Sequence, residues 1–203
     1  MMNRIMKELT RDLVQGIIVC PSAYSSLEDM LSDAAIASVF GSYNDPQFDK
    51  WYSSGQRKSA RRVKTEAKLN KIYDIYHRKY YGVVAVPLMR YDEFATPVSK
   101  AQVSGWKEFD RTYGDNHDKP SFGTFLVNNK LDMSPGKLVA QVSHAITMHY
   151  VRTGNMPIVG DTISLEFVNE STILKCDDVV VDAGHTEIPS GSVTCGFVPI
   201  ESD

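Results

Sequence analysis

The sequence predicts an α/β protein, and three observations carry that prediction. From Phe122 onward the apolar pattern runs as strand, helix, strand and then two further strands, the order of a compact α/β unit. Ahead of it, two short apolar runs, each closed by a proline, bracket a helical stripe. The third observation is bulk: 203 residues at 42% hydrophobic and 23% charged suffice to bury a core without disulfide or metal staples.

Along the chain, Gly16 to Cys20 reads as a buried strand stopped by Pro21. Ser25, Ser26, Glu28 and Asp29 supply an N-cap and an acidic first turn for the stripe Leu27, Met30, Leu31, Ala34, Ala35 and Val39, so a helix is expected over 26–40. Residues 41–55 read as a loop anchored by Phe48, Trp51 and Tyr52. Leu69, Ile72, Tyr73, Tyr76 and Tyr80 recur at three- and four-residue steps, which predicts an amphipathic basic helix over 58–80. Gly82 to Val86 reads as a second buried strand before Pro87. The following stretch lacks a sustained period and is read as loop, with a short helix at 99–110 and a polar linker at 115–120.

In the remaining part, Phe122 to Asn128 is a strand, Met133 to Gly136 a turn, and Lys137 to about Arg152 a helix ending near Gly154. Thr162 to Val168 alternates as a half-buried strand, and Asp178 to Val181 and Val193 to Val198 are strands separated by the polar segment DAGHTEIPSGS. No internal repeat is visible.

Composition excludes several classes. Cys20, Cys176 and Cys195 are odd in number and form no C-x-x-C pair, which argues for a reducing, cytoplasmic setting. Early charges at Arg4, Lys7, Glu8, Arg11 and Asp12 interrupt any secretory h-region, and the apolar runs are far short of a membrane span. Histidines 77, 117, 144, 149 and 185 form no metal-binding spacing, and no P-loop, dinucleotide or nucleophile-elbow motif occurs.

Charge is uneven along the chain. Residues 1–120 hold 18 Lys and Arg against 15 Asp and Glu, whereas 121–203 hold 4 against 10, so the two parts carry +3 and −6. Between Arg57 and Lys79 nine cations face only Glu66 and Asp74. Arg57, Lys58, Arg61, Arg62, Lys64 and Lys68 are therefore candidates for nucleic-acid phosphates, beside the plainer reading of a solvated helix face.

Two clusters could carry chemistry. Lys137, Gln141 and His144 are four and three residues apart on one helix side, with Lys137 in a first turn whose dipole it opposes. Asp182, His185, Thr186 and Glu187 lie in the loop leaving a strand. The plain readings are an Asp-x-Gly turn at Asp182, a turn hydroxyl at Thr186, a satisfied core histidine at His144 and a surface position for His149.

Together, FLVNNKLDMSPGKLVAQVSHAITMHY at 125–150 and VVVDAGHTEIPSGSVTCGFVP at 179–199 resemble the type II peptidyl-tRNA hydrolase family, in the family's order. The resemblance covers about residues 122–203. It implies a mixed, mainly four-stranded sheet with helices on its faces, a cofactor-free homodimer, and hydrolysis of the ester joining peptide to the 3′ ribose of tRNA. The implied catalytic residues are Lys137, Asp182 and Thr186, with Gln141, His144, His185 and Ser192 at the substrate. Pro135, His185 and Glu187 stand where the family carries lysine, arginine and glutamine. Alternatives are a relative that binds RNA or a partner without cleavage, and a hydrolase of another small ester or nucleotide. The family's inter-strand helix and last helix have no room here, so residues 26–40 and 58–80 are expected to cover the bare sheet face within one integrated domain.

Overall fold

Seven consecutive residues buried on both sides, Leu13–Val19 (β1), open the computed structural model, which describes residues 13–103, 106, 120–184 and 187–200. Helix α1 (Leu27–Ser42) follows, with the Ser26 hydroxyl accepting from the Asp29 N–H at 3.1 Å, as the N-cap signal predicts. The expected loop contains a short helix, α2 (Phe48–Ser53), because Trp51 is wholly buried and, with Phe48 and Tyr52, packs on Leu13 and Leu88.

The basic helix expected over 58–80 is instead a strand, β2 (Lys58–Arg62), and a shorter helix, α3 (Glu66–Tyr76). Alternation explains the strand: Lys58 and Ala60 face one layer, and Ser59 and Arg61 the opposite one. Arg61 is 1% exposed and donates to the carbonyls of Val98, Ser99 and Ala101 at 3.0, 3.2 and 3.4 Å. Charges on both faces of a buried strand imitate, in one dimension, the polar side of a helix. Helix α3 stops at His77, which adopts the left-handed conformation (φ 55°).

Strands β3 (Lys79–Tyr80), β4 (Val83–Ala85) and β5 (Met89–Arg90) and the single-turn α4 (Thr96–Ser99) complete the first half. The helix expected at 99–110 is absent over 100–103, and most of it, like most of the 115–120 linker, lies outside the described residues. The second half comprises β6 (Gly123–Asn128), α5 (Pro135–Thr153), β7 (Ile163–Val168), α6 (Glu170–Ile173), β8 (Asp178–Val181) and β9 (Val193–Pro199).

The strands form two sheets, ordered β2-β1-β4-β3, with β5 pairing to the start of β1, and β7-β6-β9-β8. In each, the first strand lies parallel to the strand beyond the long helix and antiparallel to the last strand of a closing hairpin. The two halves therefore follow one plan, a topological repeat that the residues themselves do not display.

Helices α1 and α5 pack on each other between the sheets, burying Ile17, Val19, Val83 and Ala85 of one and Phe125, Val127, Cys195 and Phe197 of the other. Outside, Leu69 and Ile72 of α3 cover Val14, Ile18 and Val84, and Ile173 of α6 covers Leu126 and Val193. The expected cover of the second sheet is thus corrected: α1 joins α5 on its inner face, α3 serves the other sheet, and one helical turn fits the gap judged too short for a helix. Helix α1 also closes an edge. The N–H groups of Ile163 and Leu165 on β7 donate to Ser32 Oγ at 3.1 Å and Glu28 Oε1 at 3.0 Å. Among the described residues no helix is long and apolar enough to cross a membrane.

Because Glu28 is buried and takes the Leu165 N–H, Glu28→Ala should leave that donor unmet and lower stability by about 1–3 kcal/mol in urea unfolding.

Candidate active site

The first turn of α5 is fixed from three directions. Ser134 is its N-cap, its hydroxyl accepting from the Lys137 N–H at 3.2 Å, and Pro135 supplies the first helical residue with its φ already set. Gly136 lies beneath the Trp106 ring, which an added Cβ would approach to 3.2 Å. Glu187 closes the third side. Its Oε2 accepts from the Ser134 N–H at 3.0 Å and its Oε1 from the Ser134 hydroxyl at 2.7 Å, so the loop after β8 is tied to the start of the helix.

On the sheet side, the β8–β9 register passes from Val180↔Cys195 to Val181↔Val193, leaving Thr194 as the extra residue of a β-bulge. Without the bulge, strict alternation would turn Thr194 away from the face to which Cys195 belongs. With it, both are fully buried, and Thr194 reaches α5.

These supports bring Lys137 and Asp182 together. Lys137 Nζ donates to Asp182 Oδ2, with the two side chains 10% and 7% exposed. Gln141 Nε2 donates to the same oxygen at 3.0 Å, while Thr194 Oγ1 lies 2.7 Å from Gln141 Oε1 and 3.0 Å from the Val180 carbonyl. Asp182 Oδ1 accepts from the Gly184 N–H at 2.7 Å, so the carboxylate serves its own turn and the ion pair at once. Backbone bonds from the Asp182 N–H to Ser192 O and from the Gly191 N–H to Asp182 O brace the loop. Burial works to raise the Asp182 carboxyl, but the bonds from Lys137, Gly184 and Gln141 outweigh it and hold the group below the usual carboxylate range.

His144 lies further along the same helix side. Its imidazole keeps some contact with solvent but is crowded by protein, and it makes no hydrogen bond to a described residue. Desolvation, and then the positive charges of Lys58 and Lys137, push its pKa down to about 3, with Asp182 pulling the other way.

The remaining predicted residues fall in several places. Thr186 and His185 lie outside the described residues. Ser192 is half-buried and its hydroxyl donates to the Pro189 carbonyl at 2.8 Å, so its described contact is within the loop. Two phosphate candidates are removed: Arg61 is internal, and Lys58 points inward to Gln15, Ser38 and Thr147 rather than along an exposed helix. Arg57 and Arg62 are partly exposed, and Lys64 and Lys68 are exposed. His149, expected at the surface, is buried against Phe122 and Phe197, with Nδ1 3.2 Å from Asp178 Oδ2 and Arg152 on the same carboxylate.

Thr194 and Trp106 were not singled out from the residues, and Glu187 was singled out only as a member of the loop cluster, not as a partner of the Ser134 cap. A bulge and a lone aromatic leave no signal in the sequence. Chemically, an ionised carboxylate that orients a nearly buried ammonium can stabilise an oxyanion and align a water. Among the described residues no group of three or more His, Cys, Asp or Glu could hold a metal ion.

Thr194→Val should orphan Gln141 Oε1 and cost about 1–3 kcal/mol in urea unfolding. The lowered Asp182 pKa makes its stabilising contribution complete above the unfolded value of about 3.9 and lost as pH falls through the folded one. Asp182→Asn should accordingly flatten the decline of urea midpoint seen in the parent protein below about pH 4. The chain matches no family model, no curated protein and no solved structure, so its function has to be read from this site.

Proposed function

We propose that the protein is an esterase-type hydrolase that cleaves the ester between a peptide and the 3′ ribose of tRNA by water attack, as type II peptidyl-tRNA hydrolases do. The observation that carries the reading is convergence: an ammonium and a carboxylate 45 positions apart in sequence meet as a nearly buried pair, buttressed by Gln141 and Thr194. Such an ester has a good leaving group and needs only an aligned water and a charge stabiliser. Lys137 stabilises the negative charge that develops on the carbonyl oxygen. Asp182, ionised and poorly basic, orients the water and the ammonium, and Thr186 positions the water or the terminal ribose. The water oxygen bonds to the carbonyl carbon, the carbon–ribose oxygen bond breaks, and the 3′ oxygen leaves with a proton. Gln141, His144, His185 and Ser192 surround the substrate, and no cofactor takes part.

The second half is acidic, so tRNA phosphates require cations from the first, where Arg57, Arg62, Lys64 and Lys68 remain at or near the surface. A binding module without cleavage is the competing reading. It is favoured by the Asp182 oxygens, both of which already accept hydrogen bonds.

One assay separates the two. With purified peptidyl-tRNA, the parent protein should release peptide, and Lys137→Ala should lower kcat/KM by about 10²–10³ with the circular dichroism spectrum unchanged. Binding without release would overturn the hydrolase and favour the module. For the phosphate surface, the double variant Lys64→Glu, Lys68→Glu should weaken tRNA binding and reduce the slope of log affinity against log salt by roughly one to two.

A further inference from the structure

The two halves carry equivalent clefts of opposite character. On α5 the third and seventh residues, Lys137 and Gln141, meet the loop that closes the second half; on α1 those positions hold Asp29 and Asp33, beside the β3–β4 turn. Here the structure has a cavity of about 320 Å³, a volume suited to a small ligand. Tyr24, Tyr80 and Tyr81 form its aromatic walls, and Asp29, Asp33 and Asp161 supply carboxylates, with no lysine or arginine among the described residues that line it. Asp161 comes from the loop leading into β7, so both halves of the chain build the cavity.

Its walls are braced from behind. Gly82 lies against the Tyr24 ring, which an added Cβ would approach to 2.6 Å, and the Gly82 N–H donates to the Tyr24 hydroxyl at 3.0 Å. That hydroxyl also bonds Asp33, and burial together with the Asp33 charge pushes the phenol pKa up, so Tyr24 stays neutral. Tyr80 stacks on Phe40 with ring centres 6.3 Å apart, and its hydroxyl accepts from the Gly160 N–H at 3.3 Å. Asp161 accepts from the Ser121 hydroxyl and the Ile158 N–H, each at 2.7 Å. Tyr81 meets Tyr80 at 86° with centroids 4.9 Å apart, so the two rings make a corner. Its backbone has φ 46°, a left-handed conformation that glycine or asparagine adopts more readily. The Tyr81 residue stays 64% exposed, so burial does not offset that strain, and the fold alone does not account for a tyrosine there.

We propose that this cavity binds an alkylated ammonium cation, seated in the corner of the Tyr80 and Tyr81 rings with Tyr24 as the third wall and the Asp29, Asp33 and Asp161 carboxylates balancing its charge. Ring faces attract a cation through their quadrupole, and the methyl groups of such a cation present apolar surface to them. Walls of one charge sign raise the local concentration of the opposite ion and repel phosphate. A free quaternary ammonium and the methylated lysine of a peptide share this chemistry. The site is separate from the Lys137–Asp182 pair and does not rest on the hydrolase reading.

The test titrates the full-length protein with choline, with its neutral isostere 3,3-dimethylbutan-1-ol, and with a trimethyl-lysine peptide beside its unmethylated form, following the Tyr80 and Tyr81 ring signals by NMR. Choline or the methylated peptide should move those signals to saturation, and the isostere should not. A methylated peptide that binds more tightly than choline identifies a partner's side chain as the source; one that does not identifies a free cation. Equal binding of the isostere, or rings unmoved by choline and peptide alike, would overturn the proposal. Tyr81→Asn, which suits the left-handed backbone, should keep the urea midpoint at or above that of the parent while weakening the cation about 2- to 5-fold, and Tyr81→Phe should retain it. Asp29→Asn should weaken it as well, most at low salt. A Tyr81→Asn protein with a lower midpoint and unchanged cation affinity would assign the ring to the fold and sink the site.

Discussion

One helix pair bears on every other part of this protein. Helices α1 and α5 lie against each other with a sheet on either side, so each must satisfy partners in more than one direction and is buried over most of its circumference. The close approach is visible at Gly41, where an added Cβ would stand 2.5 Å from that of Ala85. A helix in this position cannot leave its polar residues to water. On α1, Glu28 and Ser32 take the N–H groups of the β7 edge, Ser38 exchanges hydrogen bonds with Gln15, and Ser42 donates back to the Ser38 carbonyl. The polar interior of this protein is a consequence of that packing, because an unmet buried group would cost more than its hydrogen bond contributes.

The same requirement places the site. On α5 the polar residues that cannot face apolar sheet, Lys137, Gln141, His144 and Thr147, fall along a seam bounded by the loop after β8 at one end and β2 at the other. Lys137 opposes the dipole of its helix, and two acids offset this, Asp182 on its ammonium and Glu187 on the Ser134 cap. The bulge at Thr194 turns a strand residue into a support for Gln141. The scaffold thus holds the ion pair from both sides.

What could be read in the sequence followed from local rules. The helices beginning after Ser26 and Ser134 were legible because their caps and apolar stripes agree, and β6, β7, β8 and β9 because short apolar runs are bounded by turn residues. The segment 58–62 was misread because its charges are placed by tertiary contacts: Arg61 is retained inside by three carbonyls, a feature no periodicity encodes. The repeated plan of the halves was invisible because matching inner faces need similar volumes, not similar residues. Lys137, Gln141 and Asp182 were singled out, but their meeting is a property of the α5–β8 packing. Thr194 was hidden by a bulge, which changes the direction of a side chain without changing the composition of its strand.

The two halves also differ in a way that explains why the Lys137–Asp182 pair forms in the second. The third residue of α1 is Asp29 and the seventh Asp33, where the equivalent positions of α5 hold Lys137 and Gln141. The closing hairpin of the first half turns through Tyr81 and Gly82 alone, whereas eleven residues, Asp182 to Ser192, join β8 to β9. A two-residue turn has no length from which to fold a carboxylate back onto a helix start, and an acid at the third position of α1 would repel one. The long loop and the lysine therefore belong together: neither forms an ion pair without the other. The first half, free of that demand, uses the same framework to seal the β7 edge through Glu28 and to carry Lys58 into the seam.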